Sequence, residues 1–131
     1  MRDSEARRTV LIVDEDLGFV CWLGELLAEV GYDAIPASDT RSALALLDDL
    51  NLRVNLLIVN PQIRGAFKMT RLLSSIHAGL KIVAIGNSGM VAGEAIPAQT
   101  TMDRPGSSES LSREECLITI RKVLKNAQIA A

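Results

Sequence analysis

Val10-Leu11-Ile12-Val13-Asp14-Glu15-Asp16 and Leu56-Leu57-Ile58-Val59-Asn60 decide the fold of this chain. Each is a run of four β-branched or leucine residues that breaks abruptly into polar ones. Strands buried on both faces read as unbroken apolar runs, because helices cover both sides of a parallel sheet. Ligand chemistry in such sheets gathers beyond the carboxyl ends of the strands. Three acids, Asp14, Glu15 and Asp16, are therefore expected to face one amide, Asn60.

The segments between and after these runs supply the helices. Phe19, Trp22, Leu23, Leu26, Leu27 and Val30 recur at helical spacing, and Gly31 ends the run. Val20, Cys21, Gly24 and Ala28 then fall on the outer face. Tyr32 to Ala37 reads as a short strand, and Pro36, lacking a ladder donor, assigns it to a sheet edge. Ser38-Asp39-Thr40 offers helix caps before Ala43, Leu44, Leu46, Leu47 and Leu50. A third helix is expected from about Ala66 to His77, with Phe67, Met69, Leu72, Leu73 and Ile76 on its apolar side, Gly79 after it and His77 in solvent. Lys81 to Ile85 is the next buried strand. Gly93 and Pro97 limit any helix between Met90 and Gln99. A weak strand at Thr100 to Met102 precedes a last helix, opened by a Ser112/Glu115 capping box and running to about Asn126. Leu117, Ile120 and Leu124 are expected inward there, leaving Cys116, Ile118 and Val123 largely off the stripe.

Strands alternating with helices require right-handed crossovers and a doubly wound parallel α/β sheet. With 131 residues, the chain fits one domain, here residues 9–126 between a polar tail at 1–8 and a short tail at 127–131. A composition of 48% hydrophobic and 23% charged residues with a net charge of −2 argues against disorder and against nucleic-acid binding through a basic face. No apolar run reaches membrane-spanning length and no signal peptide is evident, so a cytoplasmic location without membrane contact is expected. Cys21 and Cys116 stand too far apart for a zinc or redox motif.

Across residues 9 to about 126 the chain resembles the receiver domain of two-component response regulators. The resemblance is carried by Val-Leu-Ile-Val-Asp-Glu-Asp at 10–16, Gly31-Tyr32 and Ala43-Leu44, together with the order of elements. It implies a flavodoxin-like, CheY-like three-layer sandwich of five parallel strands in the order 2-1-3-4-5. In that family the first-strand acids hold magnesium, and an aspartate ending the third strand is phosphorylated. A Ser or Thr ends the fourth strand, and a Lys precedes a cis-proline after the fifth. The cation neutralises the transferring group, while the hydroxyl and the lysine follow its oxygens. Here Asp14 and Glu15 match the metal acids, but Asn60 stands at the phosphoacceptor, Gly86 at the hydroxyl position and Arg104 at the lysine. In the following loop Arg64 replaces the usual proline, and the backbone carbonyl of Gln62 matches the third protein ligand of the metal.

An amide has no anionic form near neutral pH and is a weak nucleophile, so phosphorylation at Asn60 is not expected. Gly86 removes the hydroxyl that would track a phosphoryl group, and Arg104 changes reach and geometry. Magnesium, which prefers carboxylates, should bind weakly, and Arg104 is expected to pair with Asp14 or Glu15. No catalysis and no cofactor are expected. The family's signalling face lies around the fifth strand and last helix, and Thr101 stands where an aromatic switch residue is common. Thr101, Ile118 and Val123, with Val20 and Cys21 on the first helix, form the expected contact face for a histidine kinase, an output protein or a second copy. The alternative is a small-ligand or metal sensor using Asp14, Glu15, Asp16 and Arg104.

Overall fold

The computed structural model describes residues 8–50, 53–85, 98, 100–102 and 112–130. In chain order these form β1 (Thr9–Val13), α1 (Leu17–Glu29), β2 (Asp33–Ala37), α2 (Thr40–Leu50), β3 (Leu56–Val59), α3 (Ala66–Ile76), β4 (Lys81–Ile85), β5 (Thr100–Met102) and α4 (Ser112–Ala130). The strands are parallel and run β2-β1-β3-β4, and the three residues of β5 pair alongside β4. Val13 stands level with Ala37 on one side and Val59 on the other, so Asp14 and Asn60 leave the sheet together. Pro36 lies on β2 at the edge, where its missing N–H interrupts no ladder.

Alternation along the strands divides the core into two layers. Val10, Ile12, Leu56, Ile58, Val83 and Ile85 face α1 and α4, while Leu11, Val13, Leu57, Val59 and Ile82 face α2 and α3. Every residue of the two deciding runs is fully buried, which explains why neither shows a polar alternation. Asn55 clamps the amino end of the sheet: its Oδ1 accepts from the Thr9 N–H at 2.8 Å, and its carbonyl accepts from the Lys81 N–H at 3.1 Å.

Two helices are turned relative to the sequence expectation. On α1 the buried set is Phe19, Val20, Leu23, Leu26 and Leu27, so Val20 belongs to the core and not to an outer face. Spacings of one, four, seven and eight residues from Phe19 form a stripe wider than the one read from the large residues alone. Trp22 is therefore half-buried at its margin, stacked beside Phe19 with ring centroids 6.3 Å apart, and Val30 is exposed. On α4 the buried stripe is Cys116, Ile120, Val123 and Leu124, at spacings of four, seven and eight. Val123 and Cys116 are thus core residues, whereas Ile118 is 53% exposed. Nothing after Asn126 breaks the helix, which continues through Ala130. Burial, with Glu115 adding its charge, pushes the Cys116 thiol up to about 11 and keeps it protonated.

On α3, Met69 and Leu73 are buried with Ala66 and Thr70, but Leu72 and Ile76 point to solvent. Phe67 is half-buried under the Arg71 guanidinium, 5.6 Å from the ring centre. His77, expected in solvent, is half-buried, and its Nδ1 accepts a hydrogen bond from the Val54 N–H at 3.3 Å. Arg113 in the first turn of α4 pairs with Glu29 in the last turn of α1 at 3.2 Å.

The Thr70 hydroxyl is fully buried and has no hydrogen-bond partner among the described residues. Leaving such a group unpaired costs about 1–3 kcal/mol. Thr70→Val, which replaces the hydroxyl by a methyl of similar size, should raise stability by about 1 kcal/mol in urea unfolding. A loss of stability would show that the hydroxyl is paired.

Candidate functional site

The end of β1 turns Asp14 inward. Its N–H donates to the Ala37 carbonyl at 3.2 Å, continuing the ladder to β2 by one residue, and the whole residue is inaccessible to solvent. The end of β3 places Asn60 beside it in the same way, through an N–H bond to the Val13 carbonyl at 3.0 Å. Asn60 is 7% exposed. Both residues are thus set by backbone register, before any side-chain chemistry is considered.

The Asn60 amide uses both of its ends. Nδ2 donates to Asp14 Oδ1 at 3.2 Å, and Oδ1 accepts from the Gln62 N–H at 2.9 Å. The reverse orientation would set an oxygen against a carboxylate and an NH2 against an N–H, so the network allows one arrangement. Asp14 Oδ1 also accepts from the Asp16 N–H at 3.2 Å. A buried carboxylate requires such donors, since burial without them costs several kcal/mol.

The three acids do different things. Asp14 faces Asn60. Asp16 is the N-cap of α1, its Oδ1 accepting from the Phe19 N–H at 3.1 Å, and Glu15 is exposed. Among the described residues no group of three or more His, Cys, Asp or Glu side chains gathers as a metal site. The fold family implies magnesium; here Asp14 Oδ1 is engaged by two N–H donors and Asn60 contributes no charge, so this pair offers a cation less than two carboxylates would.

The loop that follows Asn60 is pinned along its length. The Asn60 carbonyl accepts from the Ile63 N–H at 3.2 Å, and the Ile63 carbonyl accepts from the Ala66 N–H at 3.0 Å. The Thr40 hydroxyl donates to the Arg64 carbonyl at 3.2 Å. Gly65 adopts φ 82°, and a Cβ there would lie 2.9 Å from the Thr40 hydroxyl oxygen, so only glycine fits. Thr40 was legible only as part of a capping cluster. The cap itself is Asp39, whose Oδ1 accepts from the Ser42 N–H at 2.7 Å, a bond that holds its carboxyl below the usual range.

Gly86 and Arg104, and with them the expected Arg104 ion pair, lie outside the described residues. Thr101 lies on β5. Of the expected contact face, Cys21 and Ile118 are exposed, while Val20 and Val123 are withdrawn into the core. Among the described residues no helix is long and apolar enough to cross a membrane.

No protein-family model and no curated protein matches the sequence. Solved structures do match. A response regulator receiver domain protein from Clostridium thermocellum aligns with a TM-score of 0.71 at 12% identity, covering 95% of this chain and 99% of the other. Vibrio cholerae CheY4, a chemotaxis response regulator, aligns with a TM-score of 0.72 at 21% identity over 89% of this chain and 98% of its own. Brucella abortus NtrX, solved with ADP, aligns with a TM-score of 0.73 at 18% identity over 93% of this chain, which spans 27% of the NtrX chain. At these identities the likeness is one of backbone, and it establishes that the chain has the fold of response regulator receiver domains.

Proposed function

We propose that this chain is an atypical receiver of two-component signal transduction, one that works through protein contact without aspartyl phosphorylation. One observation carries the reading: the side chain at the phosphoacceptor position is an amide, and both of its ends are used in holding the site together. A carboxylate at position 60 could accept from Gln62 but could not donate to Asp14. An amide can do both, yet has no anionic oxygen to attack phosphorus. Asn60 thus serves the fold at the cost of the family's chemistry.

The same arrangement bears on the other reading, a sensor for a small ligand or metal. Asp14 Oδ1 already has two N–H donors, so a cation approaching Asp14 at that oxygen would compete with the Asn60 amide. A partner such as a histidine kinase or output protein would instead read the surface of a receiver held in one state. Exposed Ile118 and Cys21 remain as candidates for that contact, and a second copy of the chain is an equally suitable partner.

Incubation with acetyl phosphate and magnesium should leave the intact mass unchanged. A stoichiometric adduct that is stable in acid and labile in base would overturn the proposal. Asn60→Asp places two carboxylates where the amide bond now lies, and without divalent cation it should destabilise the fold by about 2 kcal/mol. Millimolar magnesium should recover part of that loss in thermal unfolding, because a cation can hold two carboxylates together. Equal stability of the two proteins in chelator would show that the Asn60 amide is not needed by Asp14. Because Gly86 and Arg104 also depart from the family pattern, the variant should regain little phosphorylation.

A further inference from the structure

His77 is the single histidine of the chain, and its place is at the end of the sheet remote from Asn60. It closes α3: its N–H donates to the Leu73 carbonyl at 2.8 Å, and its carbonyl accepts from the Leu80 N–H at 3.1 Å. Its ring reaches across to the segment leading into β3, where Nδ1 accepts from the Val54 N–H at 3.3 Å. Val54 is 2% exposed, so its amide has no ready access to water as an alternative partner.

We propose that the Val54–His77 contact is an acid-sensitive latch: the neutral ring holds the lead-in of β3 against the carboxyl end of α3, and protonation releases it. This goes beyond the phosphorylation-independent role and does not rest on it. Acceptance at Nδ1 requires the tautomer with its proton on Nε2. A protonated imidazole carries N–H on both nitrogens, so Nδ1–H would point at the Val54 N–H. The hydrogen bond is then lost and a buried amide is left without a partner.

The charges around the ring favour this. Arg53 comes from the segment before β3, and partial burial followed by the Arg53 charge lowers the affinity of His77 for a proton. The last turn of α3 and the turn Ala78–Leu80 carry no charged residue, and Lys81 opens β4 beyond them. Asp48 and Asp49 are exposed on the last turn of α2. Since the folded form binds the proton more weakly than the unfolded form, the contribution of the latch is present above about pH 6.5 and is lost as pH falls below that value.

The latch closes a unit that runs from Val54 through Asn60 to His77. Its other end is pinned by the Thr40–Arg64 bond and by Gly65, so release frees only the carboxyl end of α3, where Ile76 is already 60% exposed. Acid would then loosen one end of one helix and leave the sheet intact.

A single histidine makes the ring resonances unambiguous in NMR. The ring should titrate below about 6.5 and exist above that pH as the Nε2–H tautomer. Between about pH 7.5 and a pH about one unit below the measured midpoint of the ring, hydrogen-exchange protection of the Val54 amide, corrected for intrinsic exchange and referenced to Leu57, should fall at least tenfold. His77→Asn, which keeps an acceptor near the Nδ1 position but does not titrate, should hold that ratio constant. A ring that titrates at or above about 6.5, or an unchanged Val54 ratio in the wild-type protein, would overturn the latch. Both readings are made on the wild-type chain and stand whether or not the variant folds.

Discussion

The hydrogen bond from the Asn60 amide to Asp14 is the constraint on which the site depends. Backbone register delivers the two residues to the same place, since Asp14 extends β1 toward Ala37 and Asn60 extends β3 toward Val13. Once there, Asp14 is buried completely and must find donors. Asn60 supplies one while its oxygen fixes the next turn of the loop through Gln62. An aspartate at position 60 would make the same turn but would need a cation between it and Asp14. The asparagine lets the two side chains meet directly, and the proposed metal- and phosphate-independent role rests on that contact.

From that point the order of the molecule follows in two directions. Toward α3, Asn60, Ile63, Arg64 and Gly65 form a loop with no slack, fastened to the first residue of α2 by the Thr40 hydroxyl. Toward α1, Asp14 orients the Asp16 N–H, and Asp16 in turn caps the helix. The acid cluster that looked like one pocket is therefore a division of labour, with one residue inward, one capping and one exposed. At the other end of the sheet, Asn55 and His77 do for β3 what Asn60 does at its carboxyl end, tying the strand to its neighbours with side chains.

Much of this was legible in the sequence, and the reasons are physical. Continuous apolar runs marked β1 and β3 because residues covered on both faces have no polar positions to betray an alternation. Pro36 marked an edge because it cannot donate. Asn60 stood out because it ended a run that paired with another ending in acids. Less legible were the rotations of α1 and α4. Val20 and Val123 are modest in size, and a stripe drawn through the largest side chains misses inward positions at its margin. Cys116 was misplaced for the same reason, since a buried thiol behaves as a small apolar group. His77 was misread as a solvent residue, because a lone histidine after a helix says nothing of the Val54 amide, 23 residues earlier in the chain, that meets its ring.

The central claim concerns one side-chain amide, and NMR observes that group directly. With Asn60 selectively labelled, its carboxamide protons should exchange slowly with solvent, and their shifts should stay fixed when magnesium and a phosphodonor are added. Rapid exchange, or a shift that saturates with magnesium in the low millimolar range, would contradict a site closed by Asn60 and Asp14.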